Sequence, residues 1–144
     1  MAEICLSATA EDGTLTMIQT NHFTWIVDEP RNFGGKGVAP SPVEMLLAAF
    51  AGCIVATGRN VAQEMGIDYL NISVQVTGQI NSDVFLGINA PDRAGFSVIY
   101  GDVVLDTDAG DNLLEEWRKY VVARCPVIDN LCSETSVDVS VRRR

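Results

Sequence analysis

The sequence predicts an α+β fold, in which helices and strands share one chain of 144 residues. Three observations indicate this class: β-rich or alternating segments on both sides of a long apolar helix, a second amphipathic helix, and an alternating segment near the end. The predicted order of elements is β-β-α-β-β-α-β. At this length we expect a single domain over residues 1–144 that can bury a real core.

Two β-rich segments, residues 14–20 and 22–28, are predicted to form a hairpin near the start of the chain. Asn21 marks the turn between them, and Asp28-Glu29-Pro30 ends the pair. His22 falls on the second strand, where the role of an ordinary strand residue is expected. Residues 31–40 are rich in glycine, which disfavours a helix, so this stretch is predicted to be a loop.

The long helix has the clearest boundary signals in the chain. Ser41, Pro42 and Glu44 match a capping box with a proline at the first helical position. Gly66 suits the left-handed residue that follows a helix end, so the helix is predicted over Pro42–Met65. Its first half is apolar on every side, so other parts of the protein must pack against all of its faces. A chain of 144 residues supplies little for that purpose, so we expect a homodimer.

The second half of the chain contains alternating strands and one more helix. Residues 70–80 and 96–105 alternate between apolar and polar side chains, with a loop predicted over 89–95 between them. A second helix is predicted over residues 111–124, with Asp111 as its cap. It must stop near Cys125, because the residue before a proline is pushed out of the helical region. A last strand over residues 135–141 carries Val137, Val139 and Val141.

The charge balance and the histidine count exclude several classes of protein. Ten basic against 19 acidic residues give a net charge of −9, which disfavours nucleic acid as a partner. The basic residues 142–144 are too few for a binding arm, and a solvated tail is expected.

The N-terminus lacks the pattern of a signal peptide, and the apolar run over residues 45–56 is shorter than the roughly 20 residues of a membrane span. We therefore predict a cytoplasmic protein without membrane contact. A single histidine and no Cys-x-x-Cys motif also argue against a metal site.

The four cysteines are the candidates for chemistry, because a cytoplasmic protein is not expected to use them as a disulfide framework. Cys53 lies in the apolar helix, where it is either a small core residue or a redox thiol. Cys125 lies at a helix end, where the helix dipole would raise its pKa. The separation of the two along the chain leaves open whether they meet. Cys5 and Cys132 have no motif around them and are treated as structural.

A thiolate requires nearby positive charge or a base. Arg31 in the glycine-rich loop is the first candidate and Lys36 the second, while Arg59 is expected on a solvated face of the helix. Glu44 is a possible base, but nine residues of helix place it about 180° round and about 13 Å along from Cys53. Only a partner subunit would bring Glu44 to that thiol.

Several motifs in this order resemble those of the OsmC/Ohr family, the osmotically induced protein C and organic hydroperoxide resistance proteins. They are His22 with Asp28-Glu29-Pro30, then Gly34-Gly35, the run from Pro40 to Cys53, Met65-Gly66-Ile67, and Arg124-Cys125-Pro126-Val127. The resemblance spans about residues 20 to 140. It implies an intertwined homodimer, with long central helices wrapped by antiparallel β-sheets and two active sites at the subunit interface.

The resemblance also implies a function in the defence against peroxide stress. Cys53 would be the peroxidatic thiol of an organic hydroperoxide reductase, Cys125 would resolve it as a disulfide, and an external dithiol would reduce that disulfide, without any cofactor. Two helper residues of the family are not matched. Family peroxidases carry a glutamate directly after the proline that opens the helix, where this chain has Val43, and an arginine in the N-terminal strands, where it has none before Arg31.

Two other functions stay open at the level of the sequence. One is a dimeric binding protein that holds a small apolar ligand at its interface without turnover. The other is a general thiol–disulfide oxidoreductase, for which the absence of a Cys-x-x-Cys motif is unfavourable.

Overall fold

The computed structural model describes residues 2–88 and 91–143 of the chain. They fall into two compact units, the first drawn from Met1–Ala48 and Thr77–Tyr100 and the second from Ala49–Val76 and Gly101–Arg144. A single domain over the whole chain therefore stays a prediction. Of the predicted loop over 89–95, positions 89 and 90 lie outside the described residues, as does position 144 of the basic tail.

A three-stranded antiparallel sheet begins the first unit, in the order β1 (Ser7–Asp12), β2 (Leu15–Gln19) and β3 (Thr24–Val27). Its register pairs Ala8 with Ile18 and Met17 with Ile26. The predicted hairpin corresponds to β2 and β3, but β1 was not predicted because its small and acidic residues lack a strand pattern. His22 lies in the turn between β2 and β3 rather than on a strand.

The segment after β3 is organised by one buried carboxylate. Asp28 is 1% exposed and accepts hydrogen bonds from the Thr14 hydroxyl at 2.8 Å and from the backbone N–H groups of Glu29, Lys36 and Val38 at 2.9, 2.9 and 3.3 Å. Burial alone would raise the pKa of Asp28, but these hydrogen bonds hold it below its ordinary value. The predicted loop is therefore held in place by its hydrogen bonds to Asp28, and it includes a 3-10 turn at Arg31–Phe33.

Helix α1 spans Pro42–Met65, as predicted. The Glu44 carboxylate accepts hydrogen bonds from the backbone N–H and the hydroxyl of Ser41, both at 2.7 Å, and the Glu44 N–H reaches the Ser41 hydroxyl at 3.3 Å. The capping box is thus present. Gly66 follows the helix with φ +65°, the left-handed conformation that glycine adopts without strain. By length and apolar composition alone α1 could span a membrane, a property that it shares with the core helices of soluble proteins.

The remaining elements are β4 (Asn71–Gln79), a short helix α2 (Ser82–Phe85), β5 (Val98–Asp106), α3 (Asp111–Arg124) and α4 (Pro126–Cys132). Strands β4 and β5 form a two-stranded sheet. The Leu70 N–H donates to the Asp106 carbonyl and the Ser97 N–H to the Gln79 carbonyl, so the pair is antiparallel. Helix α2 was not predicted; the side chain of Asn81 caps it by accepting from the Asp83 N–H.

Two predictions for the C-terminal third require correction, and one helix in it was not predicted. Gly110 is the N-cap of α3, and Asp111 is its first helical residue. Pro126 not only ends α3 but also begins α4, because proline suits the first position of a helix. The predicted strand over residues 135–141 is absent from the described part of the chain, where Val137, Val139 and Val141 are 80%, 80% and 92% exposed. A strand needs a neighbour for its backbone hydrogen bonds, and within the described residues this segment pairs with none.

The core of the second unit lies between α1 and α3. It consists of six buried residues: Ile54, Val61, Ala62, Ile67, Trp117 and Val121. The Trp117 indole N–H donates to the Gly58 carbonyl at 2.9 Å, so the one polar atom of this large side chain is satisfied. A Cβ at position 58 would lie 2.6 Å from the ring of Trp117, and glycine therefore permits this approach of α3 to α1.

Candidate functional site

The two cysteines of the predicted redox pair belong to the second unit. Cys53 lies in α1, and Cys125 is the single residue between α3 and α4. The backbone of Cys125 is extended, with φ −77° and ψ 112°, as expected for a residue that precedes proline. Its N–H still bonds to the Val121 carbonyl, and its carbonyl accepts the Asp129 N–H. Cys125 is therefore held by both helices.

The structure brings the two sulfur atoms together. The Sγ atoms of Cys53 and Cys125 are 2.9 Å apart, and both residues are free thiols. A disulfide needs about 2.05 Å between the sulfur atoms, so a small movement would join them. Cys125 is only 1% exposed, whereas Cys53 is partly exposed. Of the two, Cys53 is therefore the more accessible to a small molecule.

The surroundings shift the pKa values of the two thiols in opposite directions. Burial alone would raise the pKa of the Cys53 thiol, but hydrogen bonds from the Cys125 thiol, the Val127 backbone N–H and the Thr57 hydroxyl lower it below its ordinary value. Burial raises the pKa of the Cys125 thiol, and its hydrogen bond to Cys53 raises it further. Cys53 is thus favoured as the thiolate and Cys125 as the thiol that donates to it.

Sequence reasoning did not identify two of these hydrogen-bond donors. The Thr57 hydroxyl lies 4.0 Å from the Cys53 sulfur, one helical turn further along α1. That spacing of four residues was a usable signal, since such side chains are neighbours on a helix. Val127 is the second residue of α4, a helix that was not predicted, so its backbone N–H had no signal in the sequence.

The predicted activating residues make other contacts. The Lys36 ammonium forms an ion pair with Asp12 at 2.7 Å, and the Glu44 carboxylate completes the capping box. Arg31 is exposed at the start of the 3-10 turn. All three belong to the first unit, whereas both cysteines belong to the second. Among the described residues, hydrogen bonds rather than lysine or arginine side chains lower the pKa of Cys53.

The other two cysteines lie outside the pair. Cys5 precedes β1, and Cys132 is the last residue of α4; both are exposed free thiols. Neither contributes to a core among the described residues, which differs from the structural role predicted for them. In the same part of the chain, no group of three or more histidine, cysteine, aspartate or glutamate side chains is placed to hold a metal ion.

A cavity of about 470 Å³ opens on the second unit beside α3 and β5. Its lining is mostly apolar and includes Phe50, Ile54, Trp117, Val121 and Ile128. Neither Cys53 nor Cys125 lines it, although Ile54 and Ile128 are close to them in the sequence. The size lies in the range of small-molecule pockets.

Comparison with known proteins identifies relatives along most of the chain. A curated protein of Haloferax volcanii, named only as an uncharacterized protein, is 28% identical over 141 residues, which is 98% of this chain and 96% of that protein.

Solved structures share the fold. An OsmC-like protein from Mycoplasma pneumoniae superposes with a TM-score of 0.79 at 20% identity, covering 90% of this chain and 87% of that one. An organic hydroperoxide resistance protein OsmC from Legionella pneumophila gives 0.70 at 19% identity, covering 92% and 90%. The mixed α/β architecture is therefore that of the OsmC-like fold.

The sequence profile of the OsmC-like proteins matches residues 34–141, which include both halves of the cysteine pair. This match and the shared fold confirm the family that the sequence motifs indicated. The chain belongs to the OsmC-like protein family.

Proposed function

We propose that this protein is a thiol peroxidase that reduces organic hydroperoxides through Cys53 and Cys125. The observation that carries the proposal is the 2.9 Å separation of the two sulfur atoms, with a lowered pKa at Cys53 and a raised pKa at Cys125. The presence of organic hydroperoxide resistance proteins among the solved structures with this fold supports the substrate class.

In the first step the Cys53 thiolate attacks the terminal oxygen of the hydroperoxide ROOH. A sulfur–oxygen bond forms and the O–O bond breaks, so the cysteine is oxidised to a sulfenic acid. The alkoxide leaving group takes up a proton and departs as the alcohol ROH. The Cys125 thiol lies within hydrogen-bond distance of the Cys53 sulfur and keeps its proton through this step, so the alkoxide takes its proton from solvent.

In the second step Cys125 attacks the sulfenic sulfur of Cys53. The new S–S bond displaces hydroxide, which leaves as water with the proton of the Cys125 thiol. An external dithiol then reduces the disulfide by thiol–disulfide exchange, which restores both thiols and oxidises the reductant. The cycle needs no cofactor. It fits the cytoplasm, where thiol reductants are abundant, and we propose that location for the protein.

The proposal is tested by peroxide consumption with purified protein, cumene hydroperoxide and dithiothreitol as the reductant. We expect turnover in the wild type and none in Cys53→Ser, because serine cannot be oxidised to a sulfenic acid. Without dithiothreitol, Cys125→Ser should consume about one equivalent of hydroperoxide and accumulate the sulfenic acid, detected by trapping with dimedone and mass spectrometry. Cys132→Ser is the matched control and should behave as the wild type.

Hydroperoxide loss that persists in Cys53→Ser, or a wild type that does not turn over, would exclude the proposed reaction. A general thiol–disulfide oxidoreductase would instead transfer electrons from dithiothreitol to an added disulfide substrate, at a rate that does not depend on hydroperoxide. The same assay therefore separates that alternative.

We further propose that the functional unit is the homodimer. Helix α1 exposes the small residues Ala48, Gly52 and Ala56 at a spacing of four, which places them on one face. A Cβ at Gly52 would meet no atom within 4 Å, so this face has room for a second helix. Val137, Val139 and Val141 are exposed and alternate in the sequence, a pattern suited to pairing with a strand of the second subunit. Activation of Cys53 by Arg31 or Lys36 of the second subunit stays part of this proposal, whereas the Glu44 carboxylate is assigned to the helix cap that it forms with Ser41.

The cavity beside α3 favours a second candidate function, the binding of a small apolar ligand without turnover. Trp117 lines the cavity, so its fluorescence reports on occupancy. Titration of Cys53→Ser with cumyl alcohol tests this candidate. Saturable quenching, together with a wild type that lacks peroxidase activity, would replace the peroxidase proposal with the binding function.

A further inference from the structure

The position of Cys125 depends on how α3 is attached to α1. Cys125 directly follows the last residue of α3, and its N–H is still bonded to the Val121 carbonyl at 3.0 Å. Its sulfur must reach a partner on α1 to lie 2.9 Å from Cys53. Any pivot of α3 against α1 would therefore change the distance between the two thiols.

The first attachment is buried and lies two turns before Cys125. Trp117 is 4% exposed and donates its indole N–H to the Gly58 carbonyl at 2.9 Å. Because position 58 has no Cβ, the ring can lie directly against the backbone of α1. This hydrogen bond fixes one polar contact between α3 and α1, beside the apolar packing of Val121 in the same core.

The second attachment lies next to Cys125 in the sequence. The Arg124 guanidinium forms two hydrogen bonds with the Glu64 carboxylate of α1, with Nη1 to Oε2 at 2.5 Å and Nη2 to Oε1 at 2.9 Å. A bidentate pair restricts orientation as well as distance. The side chains are 43% and 57% exposed, so the pair is expected to make a modest energetic contribution that salt reduces.

We propose that the Arg124–Glu64 ion pair and the Trp117–Gly58 hydrogen bond are positioning contacts that hold the Cys125 thiol against Cys53 and favour formation of the disulfide. The inference deepens the proposed function, since it rests on Cys125 as the resolving thiol. Arg124 and Trp117 do not touch the reacting atoms in this scheme. They act through the placement of α3.

The test measures disulfide formation without hydroperoxide. The protein dithiol is equilibrated with oxidised and reduced glutathione, where one oxidised glutathione gives the protein disulfide and two reduced glutathiones. A background of Cys5→Ser and Cys132→Ser leaves only the pair to titrate. The equilibrium constant then reports how well the two thiols are placed for each other.

We expect Arg124→Gln and Glu64→Gln each to lower this constant by about two- to fivefold, the range that exposed ion pairs provide. Trp117→Phe keeps an aromatic ring but loses the N–H, and should lower the constant by about two- to tenfold. The exchange of charges in Glu64→Arg with Arg124→Glu should restore it. Salt of about 1 M should lower the equilibrium constant of the wild type towards that of Arg124→Gln, because exposed charges are then screened.

Arg118→Gln is the matched control, since Arg118 forms an equally bidentate pair with Glu115 that lies entirely within α3. Its constant should equal that of the wild type. The inference is overturned if Arg124→Gln matches Arg118→Gln, if the charge exchange fails to restore the constant, or if Arg124→Gln lowers the Tm of the dithiol form while the constant stays unchanged. A failed peroxidase assay would remove the proposed function but would not alter these outcomes.

Discussion

At the scale of single residues, the two thiols of the pair acquire different properties from hydrogen bonding and burial. The Cys53 sulfur receives hydrogen bonds from a thiol, a backbone N–H and a hydroxyl, which together outweigh the cost of burying a thiolate. Cys125 is deeper and donates to that sulfur, so it retains its proton more strongly. The sequence pointed to lysine, arginine and glutamate as activators, and within one described chain the pKa of Cys53 is lowered by neutral hydrogen-bond donors.

The first prediction concerns the pH dependence of Cys53 alkylation. Iodoacetamide reacts with the thiolate, so the rate should rise with pH around a midpoint below that of an unperturbed cysteine, whose pKa is about 8.5. Cys125→Ala removes one donor, and the midpoint should move to higher pH. Cys125→Ser keeps a hydroxyl donor, and the midpoint should move less. Mass spectrometry of the Cys53 peptide measures each rate.

Cys132→Ser is the control for the alkylation experiment, because this exposed thiol does not touch the pair. The pH midpoint of Cys53 alkylation in Cys132→Ser should match that in the wild type. If Cys125→Ala leaves the midpoint where it is, or moves it to lower pH, the hydrogen bond from Cys125 does not stabilise the thiolate.

At the scale of elements, α1 is defined by its own ends. The reciprocal bonds of Ser41 and Glu44 satisfy free N–H groups of the first turn, and Gly66 closes the last turn in a left-handed conformation. Such signals are local, so the sequence alone predicted both the first and the last residue of the helix. Helices α2 and α4 are shorter than two full turns, and the sequence pattern that marks a helix is too brief in them to be noticed.

The second prediction separates a capping role of Glu44 from a catalytic one. Glutamine at position 44 can still accept the Ser41 N–H but carries no charge near the start of the helix. Glu44→Gln should therefore lower the free energy of unfolding by about 0.5 kcal/mol at neutral pH, with peroxidase kcat/KM unchanged. Hydrogen bonds from the Ser41 backbone N–H and hydroxyl lower the pKa of Glu44 in the folded protein. A carboxyl whose pKa is lower in the folded protein stabilises the fold at pH values above its pKa in the unfolded chain. This stabilisation is lost as the pH falls through its pKa in the folded protein. The difference between Glu44→Gln and wild type in urea unfolding should therefore shrink below about pH 4.

Glu3→Gln serves as the control for that comparison, as an exposed carboxylate outside any element. It should leave stability and activity unchanged. A loss of kcat/KM in Glu44→Gln at unchanged stability would contradict the capping role and assign to Glu44 the activating part suggested by the family resemblance.

At the scale of the whole molecule, the single chain leaves apolar surface without cover. Helix α1 is apolar in its first half, yet Val43 and Leu46 are 39% and 40% exposed, and the C-terminal valines are more exposed still. Large exposed apolar surfaces mark sites of association. These surfaces lie on a helix and on a segment that alternates like a strand, which are the elements that the proposed homodimer would pair.

The third prediction tests the homodimer at Gly52. Leucine at this position meets no atom of its own chain near its Cβ and improves helix propensity, so the fold of one chain should tolerate it. It would obstruct a second helix on the face formed by the small residues. We therefore expect Gly52→Leu to shift the protein from dimer to monomer, measured by sedimentation over a range of concentrations.

Glu116→Leu, at an exposed position of α3, is the control for added apolar surface and should remain dimeric. A Gly52→Leu protein as dimeric as the wild type would show that this face of α1 is not the contact. A wild type that is monomeric at all concentrations would exclude the homodimer.

The sequence by itself determined the features that depend on neighbours in the chain. The cap of α1, its length, the end of α3 at Cys125 and the strand pair β2–β3 follow from local backbone preferences and from periodicity, which act over a few residues. Resemblance to a family added the pairing of Cys53 with Cys125, which no local rule contains.

Tertiary structure decided what depends on residues far apart in the chain. The two cysteines are separated by 72 positions, and only the docking of α3 on α1 brings their sulfur atoms to 2.9 Å. The same docking selects hydrogen-bond donors around Cys53, because a pKa responds to the atoms that surround a group in space rather than in sequence. For the same reason the alternating valines of residues 135–141 did not suffice to make a strand, since a strand exists only where another supplies its hydrogen bonds.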